Sequence, residues 1–140
     1  MIHKINNEYD KIMVHDKGLL HKSAHLLIVN DIGEILCRKR GANEERYAGL
    51  WTSTYGTHVI GEDNYLQTLQ KGFEVVNPVW VGEFRVKDLF ENEINGLYIS
   101  RYIPNIISED IKFLNVLELK LKEMTPHLIE GYMEMKKWML

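Results

Sequence analysis

Residues 20–62 decide the fold of this chain. They read LHKSAHLLIVNDIGEILCRKR from residue 20 to residue 40, then YAGLW at 47–51 and GTHVIGE at 56–62. The first run is apolar on either side of a group of turn residues, the second ends on a tryptophan, and the third carries a histidine between two glycines. This order predicts strands joined by a tight turn, then a polar loop and a glycine-containing segment.

The first run predicts a β-hairpin. Ala24 to Val29 is apolar and partly β-branched, and Asn30 to Gly33 supplies residues that favour a turn. Residues 34–40 then return to a strand pattern, and residues 41–46 are polar and predict a loop. Two apolar runs that flank a short turn are typical of paired antiparallel strands.

The segments on either side predict one strand and one helix. Lys11 to His15 is a short candidate strand before the turn residues Asp16 to Gly18. From Asp63 the apolar period becomes helical, and Asn77-Pro78 ends the pattern because a residue before proline avoids helical angles. The predicted buried stripe of this helix consists of Leu66, Leu69, Phe73 and Val76.

The remaining chain predicts three strands and a terminal helix. Residues 79–89, 94–103 and 111–114 are the candidate strands. Thr125-Pro126 is a good helix start, with a hydroxyl cap and a proline at the first helical position. Its apolar face contains Leu128, Tyr132, Met135 and Met139. Strands, a central helix, further strands and a terminal helix predict an α+β sandwich.

Length and composition narrow the function classes. A chain of 140 residues predicts a single domain, residues 1–140. The net charge of −3 argues against nucleic-acid binding, and no apolar run is long enough to span a membrane. The N-terminus has no apolar signal segment. The single cysteine, Cys37, excludes an internal disulfide, and together these features predict a cytoplasmic protein.

The order of elements between residues 20 and 62 resembles the Nudix superfamily. The likeness is greatest to the branch that contains type 1 isopentenyl diphosphate isomerase and related hydrolases, and it extends roughly from Lys11 to Ile103. This resemblance implies an α/β/α sandwich with a mixed sheet. It also implies a small-molecule substrate that contains a diphosphate, and a divalent metal as cofactor.

The catalytic helix departs from the family pattern. Where the family carries Arg-Glu-x-x-Glu-Glu, residues 70–75 of this chain read QKGFEV. Carboxylates three and four residues apart share a helix face and can converge on Mg²⁺, so the loss of ligands weakens that site. The resemblance leaves Glu62 and Glu74 as the expected catalytic carboxylates. Lys71 lies three residues before Glu74 and is expected to pair with it.

The isomerase-like branch implies a different metal site, which this chain retains better. His21, His58, Glu91 and Glu93 match its histidines and its Glu-Asn-Glu motif, and His15 matches the remaining histidine if one residue is missing before His21. In an extended strand Glu91 and Glu93 share a face about 6.5 Å apart. Imidazole and carboxylate ligands favour Zn²⁺ or Mn²⁺, while added oxygen ligands from a diphosphate suit Mg²⁺.

Other polar residues receive simpler assignments. Arg38 and Arg40 alternate along one face of a strand and are expected to bind phosphate. His25 would lie about 13 Å from His21 in a strand, so a structural role is expected. The isomerase also needs a cysteine beside its Gly-x-His segment, where this chain has Tyr55-Gly56-Thr57, and Cys37 is expected to be a buried thiol.

Three functions remain open on the sequence. The first is metal-dependent hydrolysis of a small-molecule diphosphate, with weakened or specialised activity. The second is a Nudix-like module that binds a ligand or a partner protein without turnover. The third is an isopentenyl diphosphate isomerase-like protein. A homodimer through a surface with Tyr132, Met133 and Trp138 also stays open.

Overall fold

The computed structural model describes residues 1–139. Its elements, in chain order, are α1 (Glu8–Asp16), β1 (His21–Ile28), β2 (Ile35–Lys39), β3 (Trp51–Thr52), β4 (Tyr55–His58), α2 (Tyr65–Gly72), β5 (Val79–Lys87), β6 (Asn92–Ser100), β7 (Ile111–Leu114) and α3 (Pro126–Trp138). Two short 3-10 helices, Val116–Glu118 and Leu121–Glu123, precede α3. Within these residues no helix has the length and apolarity needed to cross a membrane.

The strands form two sheets. The larger sheet has the order β4-β1-β6-β5, in which β1 runs parallel to β6 and antiparallel to β4. The smaller sheet has the order β3-β2-β7 and is antiparallel. Helix α3 packs on β5, whereas α2 packs on β1 and β4. The predicted α+β fold with a mixed sheet is therefore confirmed.

The two-residue period of β1 divides its side chains between two cores. Leu27 faces the core that contains residues of α3, while Leu26 and Ile28 face the core that contains Leu69 of α2. Since alternate residues of a strand share a face, His21 and His25 lie on the same side as Leu27. His21, Ser23 and His25 therefore lie on the α3 side of the sheet, whereas Lys22 lies on the other side, over the Tyr65 ring.

The predicted hairpin is correct at its turn and wrong beyond it. Val29 pairs with Ile35, and the Asn30 amide donates to the Glu34 carbonyl. Gly33 has φ +83°, a conformation that glycine adopts without strain. Strands β1 and β2 then separate into different sheets, because β4 and β6 already occupy both edges of β1.

The predicted strand at Lys11 to His15 is wrong, because these residues belong to helix α1. The side chain of Asn7 caps the helix by accepting a hydrogen bond from the Asp10 amide. Glu8 and Asp10 place negative charge in the first turn, where the helix dipole favours it. The cap and the charges therefore stabilise the helix more than the short alternation of apolar residues favours a strand.

The predicted central helix begins as expected and ends early. Asn64 and Gln67 form a capping box at its start. The last helical residue is Gly72, and Phe73 is extended with φ −149° and ψ 150°. The predicted extension to Asn77-Pro78 is therefore wrong, and Glu74 lies outside the helix.

Helix α3 begins at the predicted cap. The Thr125 hydroxyl accepts from the Leu128 amide, and Pro126 occupies the first helical position. Tyr132 is buried in the core, whereas Met133 and Trp138 are exposed. Tyr132 therefore does not belong to an exposed dimer surface, and a homodimer stays a prediction.

Candidate functional site

An open pocket of about 100 Å³ lies between the polar face of β1, the end of β2 and the first turn of α3. Its lining combines histidines, carboxylates and arginines. A single water molecule needs about 10–15 Å³ of cavity space measured in this way, so the pocket has room for a phosphoryl group. The remainder of any larger ligand would lie at the open mouth.

A cluster of three imidazoles and two carboxylates lies at one side of this pocket. Its ligand atoms all lie within 4.8 Å of one another, and we refer to it as the first cluster. The members come from the end of α1, the start of β1, the end of β4 and the approach to β6. They are His15, His21, His58, Glu91 and Glu93.

Backbone carbonyls orient two of these imidazoles. The Nδ1–H of His15 donates to the Lys11 carbonyl at 2.7 Å, and the Nδ1–H of His21 donates to the Leu19 carbonyl at 2.8 Å. Both Nε2 atoms therefore face the carboxylates. A histidine that binds a metal commonly donates its other ring nitrogen in this way.

Two buried polar atoms of the first cluster have no hydrogen-bond partner among residues 1–139. They are the Nε2 of His15 and the Oε2 of Glu91, which lie 3.2 Å apart without hydrogen-bond alignment. Leaving buried polar atoms unpaired costs free energy. A divalent cation would satisfy both atoms, so the donor set fits the metal that the sequence resemblance implies.

Burial and charge act in opposite directions on this cluster. Burial opposes the charged form of His21, but its contacts with Glu91 and Glu93 outweigh burial and raise its pKa to about 9. Burial also opposes the charged form of Glu93, yet contacts with His127, His21 and His58 hold the pKa of this carboxyl well below its usual value. Glu93 is therefore an anion with the charge needed to hold a cation.

The three arginines of the pocket lie beside the first cluster. Arg38 and Arg40 come from β2 and the residue after it, and Arg46 comes from the following loop. The Nε of Arg46 lies 3.4 Å from the Oε1 of Glu91, and the Nε–H of Arg40 donates to the Arg46 carbonyl. The structure thus brings both predicted phosphate-binding arginines to the pocket and adds a third.

The two predicted catalytic carboxylates lie elsewhere. Glu62 is exposed and pairs with Lys4, and Glu74 is exposed in the segment after α2. Neither belongs to a cluster of ligand atoms in the described part of the chain. Lys71 pairs with Asp63 rather than with Glu74. We therefore leave Glu62 and Glu74 out of the proposed site.

Cys37 is fully buried in β2, and burial raises the pKa of its thiol to about 12. It faces the apolar core rather than the pocket. The structural role expected for this thiol agrees with its position. Within the described residues no cysteine lines the pocket, so the cysteine that the isomerase uses has no counterpart there.

The sequence reasoning missed two members of the pocket. Arg46 received no role because its loop carries no motif. His127 received none because its carboxylate partner is 34 residues away in the chain. The Thr125-Pro126 cap was a usable signal, since it places residue 127 in the first turn of a helix.

Comparison with known proteins supports the resemblance. No family model matches the chain. It is 26% identical over 125 residues to isopentenyl-diphosphate Delta-isomerase 2 of Photorhabdus laumondii, covering 79% of this chain and 71% of that protein. It is 24% identical over 103 residues to an isopentenyl-diphosphate Delta-isomerase of Burkholderia multivorans. That match covers 66% of this chain and only 58% of the relative, so the shared region is a part of that protein.

Solved structures show the fold. The MutT protein from Methanosarcina mazei Go1 superposes with a TM-score of 0.62 at 16% identity, covering 85% of this chain and 92% of the other. The MutT Nudix hydrolase from Burkholderia pseudomallei gives the same TM-score and identity, with coverages of 82% and 97%. The chain therefore has the fold of the Nudix hydrolases, and in sequence it resembles the isopentenyl-diphosphate isomerases.

Proposed function

We propose that this protein binds a divalent cation through the first cluster and acts on the diphosphate of a small molecule. Hydrolysis of the diphosphate linkage is the reaction that we favour. The observation that carries this proposal is the convergence of His15, His21, His58, Glu91 and Glu93 within 4.8 Å. Three of these residues, His58, Glu91 and Glu93, line the pocket that also contains three arginines. Similarity to Nudix structures and to isopentenyl-diphosphate isomerases supports it.

The arginines and the cluster would have different tasks. Guanidinium groups of Arg38, Arg40 and Arg46 can each offer paired hydrogen bonds to phosphate oxygens. Glu91 holds Arg46 at the mouth of the pocket and so limits the positions that the guanidinium adopts. The cation would neutralise the charge of the diphosphate. Its donor set favours Mn²⁺ or Zn²⁺, and Mg²⁺ suits a site completed by diphosphate oxygens.

The metal proposal is tested by calorimetric titration of metal-stripped protein with Mn²⁺, Mg²⁺ and Zn²⁺. The double variant Glu91→Gln/Glu93→Gln should weaken binding about 100-fold or more, because it removes both carboxylate ligands. The matched control Glu109→Gln/Glu118→Gln removes the same charge from exposed positions and should bind normally. Equal affinity in the two double variants would show that the first cluster is not the metal site.

The reaction is tested separately with ³¹P NMR. Metal-loaded protein is incubated with ADP-ribose or with isopentenyl diphosphate, and hydrolysis appears as new phosphate resonances that the Glu91→Gln/Glu93→Gln variant does not produce. Metal binding without any new resonance would instead support the second candidate, a module that binds without turnover. That candidate is favoured by the missing carboxylates of α2.

The isomerase is a third candidate, favoured by the names of the sequence relatives. Its usual chemistry needs a cysteine at the pocket, and Cys37 is buried in the core. Incorporation of deuterium from D₂O into isopentenyl diphosphate, followed by proton NMR, distinguishes it from a hydrolase. Deuterium incorporation without phosphate release would overturn the hydrolase proposal.

A further inference from the structure

The pocket contains a second group of metal-ligand side chains. Its members are His25, Glu93 and His127, whose ligand atoms lie within 4.8 Å of one another, and we refer to it as the second cluster. All three side chains are buried, with residue exposures of 7%, 2% and 8%. Two imidazoles and a carboxylate are the donors found in three-residue sites for Zn²⁺ and related cations.

Glu93 belongs to both clusters, and its two oxygens face different imidazoles. Its Oε2 lies 3.1 Å from the Nε2 of His21 and 3.4 Å from the Nε2 of His58. Its Oε1 lies 2.7 Å from the Nε2 of His127. A carboxylate between two groups of ligands can bind one cation through each oxygen, as in two-metal sites whose ions lie about 3.5–4 Å apart.

His25 is held in place for this role. Its Nδ1 lies 2.7 Å from the Ser53 hydroxyl oxygen, so Nε2 is the ring atom left for a ligand bond. The ring occupies space that opens because residue 56 is glycine, since a Cβ there would overlap it.

A hydrogen bond between His127 and Glu93 does not account for the whole arrangement. The His25 ring stacks beside that of His127, with 5.0 Å between centroids and an interplanar angle of 21°. Two imidazoles therefore lie side by side next to one carboxylate, and the hydrogen bond to Glu93 involves only His127.

We propose that His25, Glu93 and His127 form a second divalent-cation site and that Glu93 bridges it to the first. Because both sites share Glu93, this inference rests on the proposed function. It also deepens that function. Two cations beside Arg38, Arg40 and Arg46 would form a strongly positive pocket floor, which selects a ligand with several negative charges, such as a diphosphate, over a monoester.

The test counts ions. Metal-stripped protein is dialysed to equilibrium against Mn²⁺, the bound metal is measured by mass spectrometry, and frozen samples are examined by electron paramagnetic resonance. We expect two ions per chain and a spin-coupled spectrum. His127→Gln and His25→Gln should each lose one ion and give the spectrum of isolated Mn²⁺. His3→Gln is the matched control, because His3 is the one histidine outside both clusters, and it should retain both ions.

The outcomes separate this inference from the proposed function. One ion in the parent protein, unchanged in His127→Gln and His25→Gln, overturns the second site and leaves the first intact. No bound ion at all overturns the proposed function as well. Circular dichroism establishes that each variant folds. If His127→Gln unfolds, the ion count of His25→Gln decides the matter, because it removes a different ligand of the same site.

Discussion

Gly56 sets the space available to the His25 ring. A Cβ at this position would overlap the imidazole, and the ring cannot move freely because the Ser53 hydroxyl holds its Nδ1. We expect Gly56→Ala to lower the free energy of unfolding by about 1–3 kcal/mol, the usual cost of overpacking. Urea denaturation measures this change in the free energy of unfolding. The control is Gly41→Ala, whose new Cβ would make an ordinary 3.8 Å contact with Glu44. Equal losses in the two variants would contradict the argument.

Cys37 provides a prediction about pH. Burial raises the pKa of the thiol to about 12, above the value of about 8.5 for an exposed cysteine. The raised pKa reflects a stabilisation of the folded state by the protonated thiol. This stabilisation is complete at pH values below the pKa of the unfolded state, and it is lost as pH rises through the pKa of the folded state. We therefore expect urea midpoints to fall between about pH 8.5 and pH 12 more steeply in the parent than in Cys37→Ala. Parallel curves would show that the thiol is not the cause.

The reactivity of the Cys37 thiol is a second test of its burial. Thiolates, not thiols, attack disulfide reagents, and this sulfur is both protonated and inaccessible in the folded chain. At pH 8 we expect the thiol to react only after urea unfolds the protein. Rapid reaction of the folded protein would contradict the buried position of Cys37.

Helix α3 places His127 because Thr125 determines where the helix begins. The Thr125 hydroxyl accepts from the Leu128 amide and donates to the Thr52 hydroxyl, so one group caps the helix and fixes it to β3. We expect Thr125→Ala to cost about 1–2 kcal/mol of stability. Thr125→Ser keeps the hydroxyl and should recover most of that loss in the same urea titration. A serine variant as unstable as the alanine variant would assign the effect to the lost methyl group.

The first cluster joins elements that are distant in the chain. Its ligands come from α1, β1, β4 and the start of β6, so a bound cation would connect the N-terminal helix to the larger sheet. At a free concentration about 100 times the Kd, such binding stabilises the folded state by about 2.7 kcal/mol. For a chain of this size we expect Mn²⁺ to raise the Tm by roughly 5–10 °C.

Differential scanning calorimetry measures this shift and tests the domain prediction in the same experiment. A single domain of residues 1–140 should give one transition whose calorimetric and van't Hoff enthalpies agree. The Glu91→Gln/Glu93→Gln variant should show no shift with Mn²⁺. Two separate transitions in the parent protein would contradict the single-domain prediction.

The residues that the sequence identified were those with local signals. The turn at Asn30 to Gly33, the cap at Thr125 and the alternation of β1 depend on neighbours within a few positions. Motif resemblance added His21, His58, Glu91 and Glu93, since their spacing is preserved in the chain. The same local reasoning failed at Lys11 to His15, where a side-chain cap favours helix over strand.

The sequence by itself determined the mixed α+β fold, the acidic and histidine motifs and the buried cysteine, because hydrophobic period and motif spacing are properties of short segments. Only the tertiary structure decided that β1 and β2 separate, that α2 ends before Glu74 and that Arg46 and His127 join the pocket. These outcomes depend on which elements pack together. Packing brings into contact residues that lie far apart in the chain and share no recognisable sequence motif.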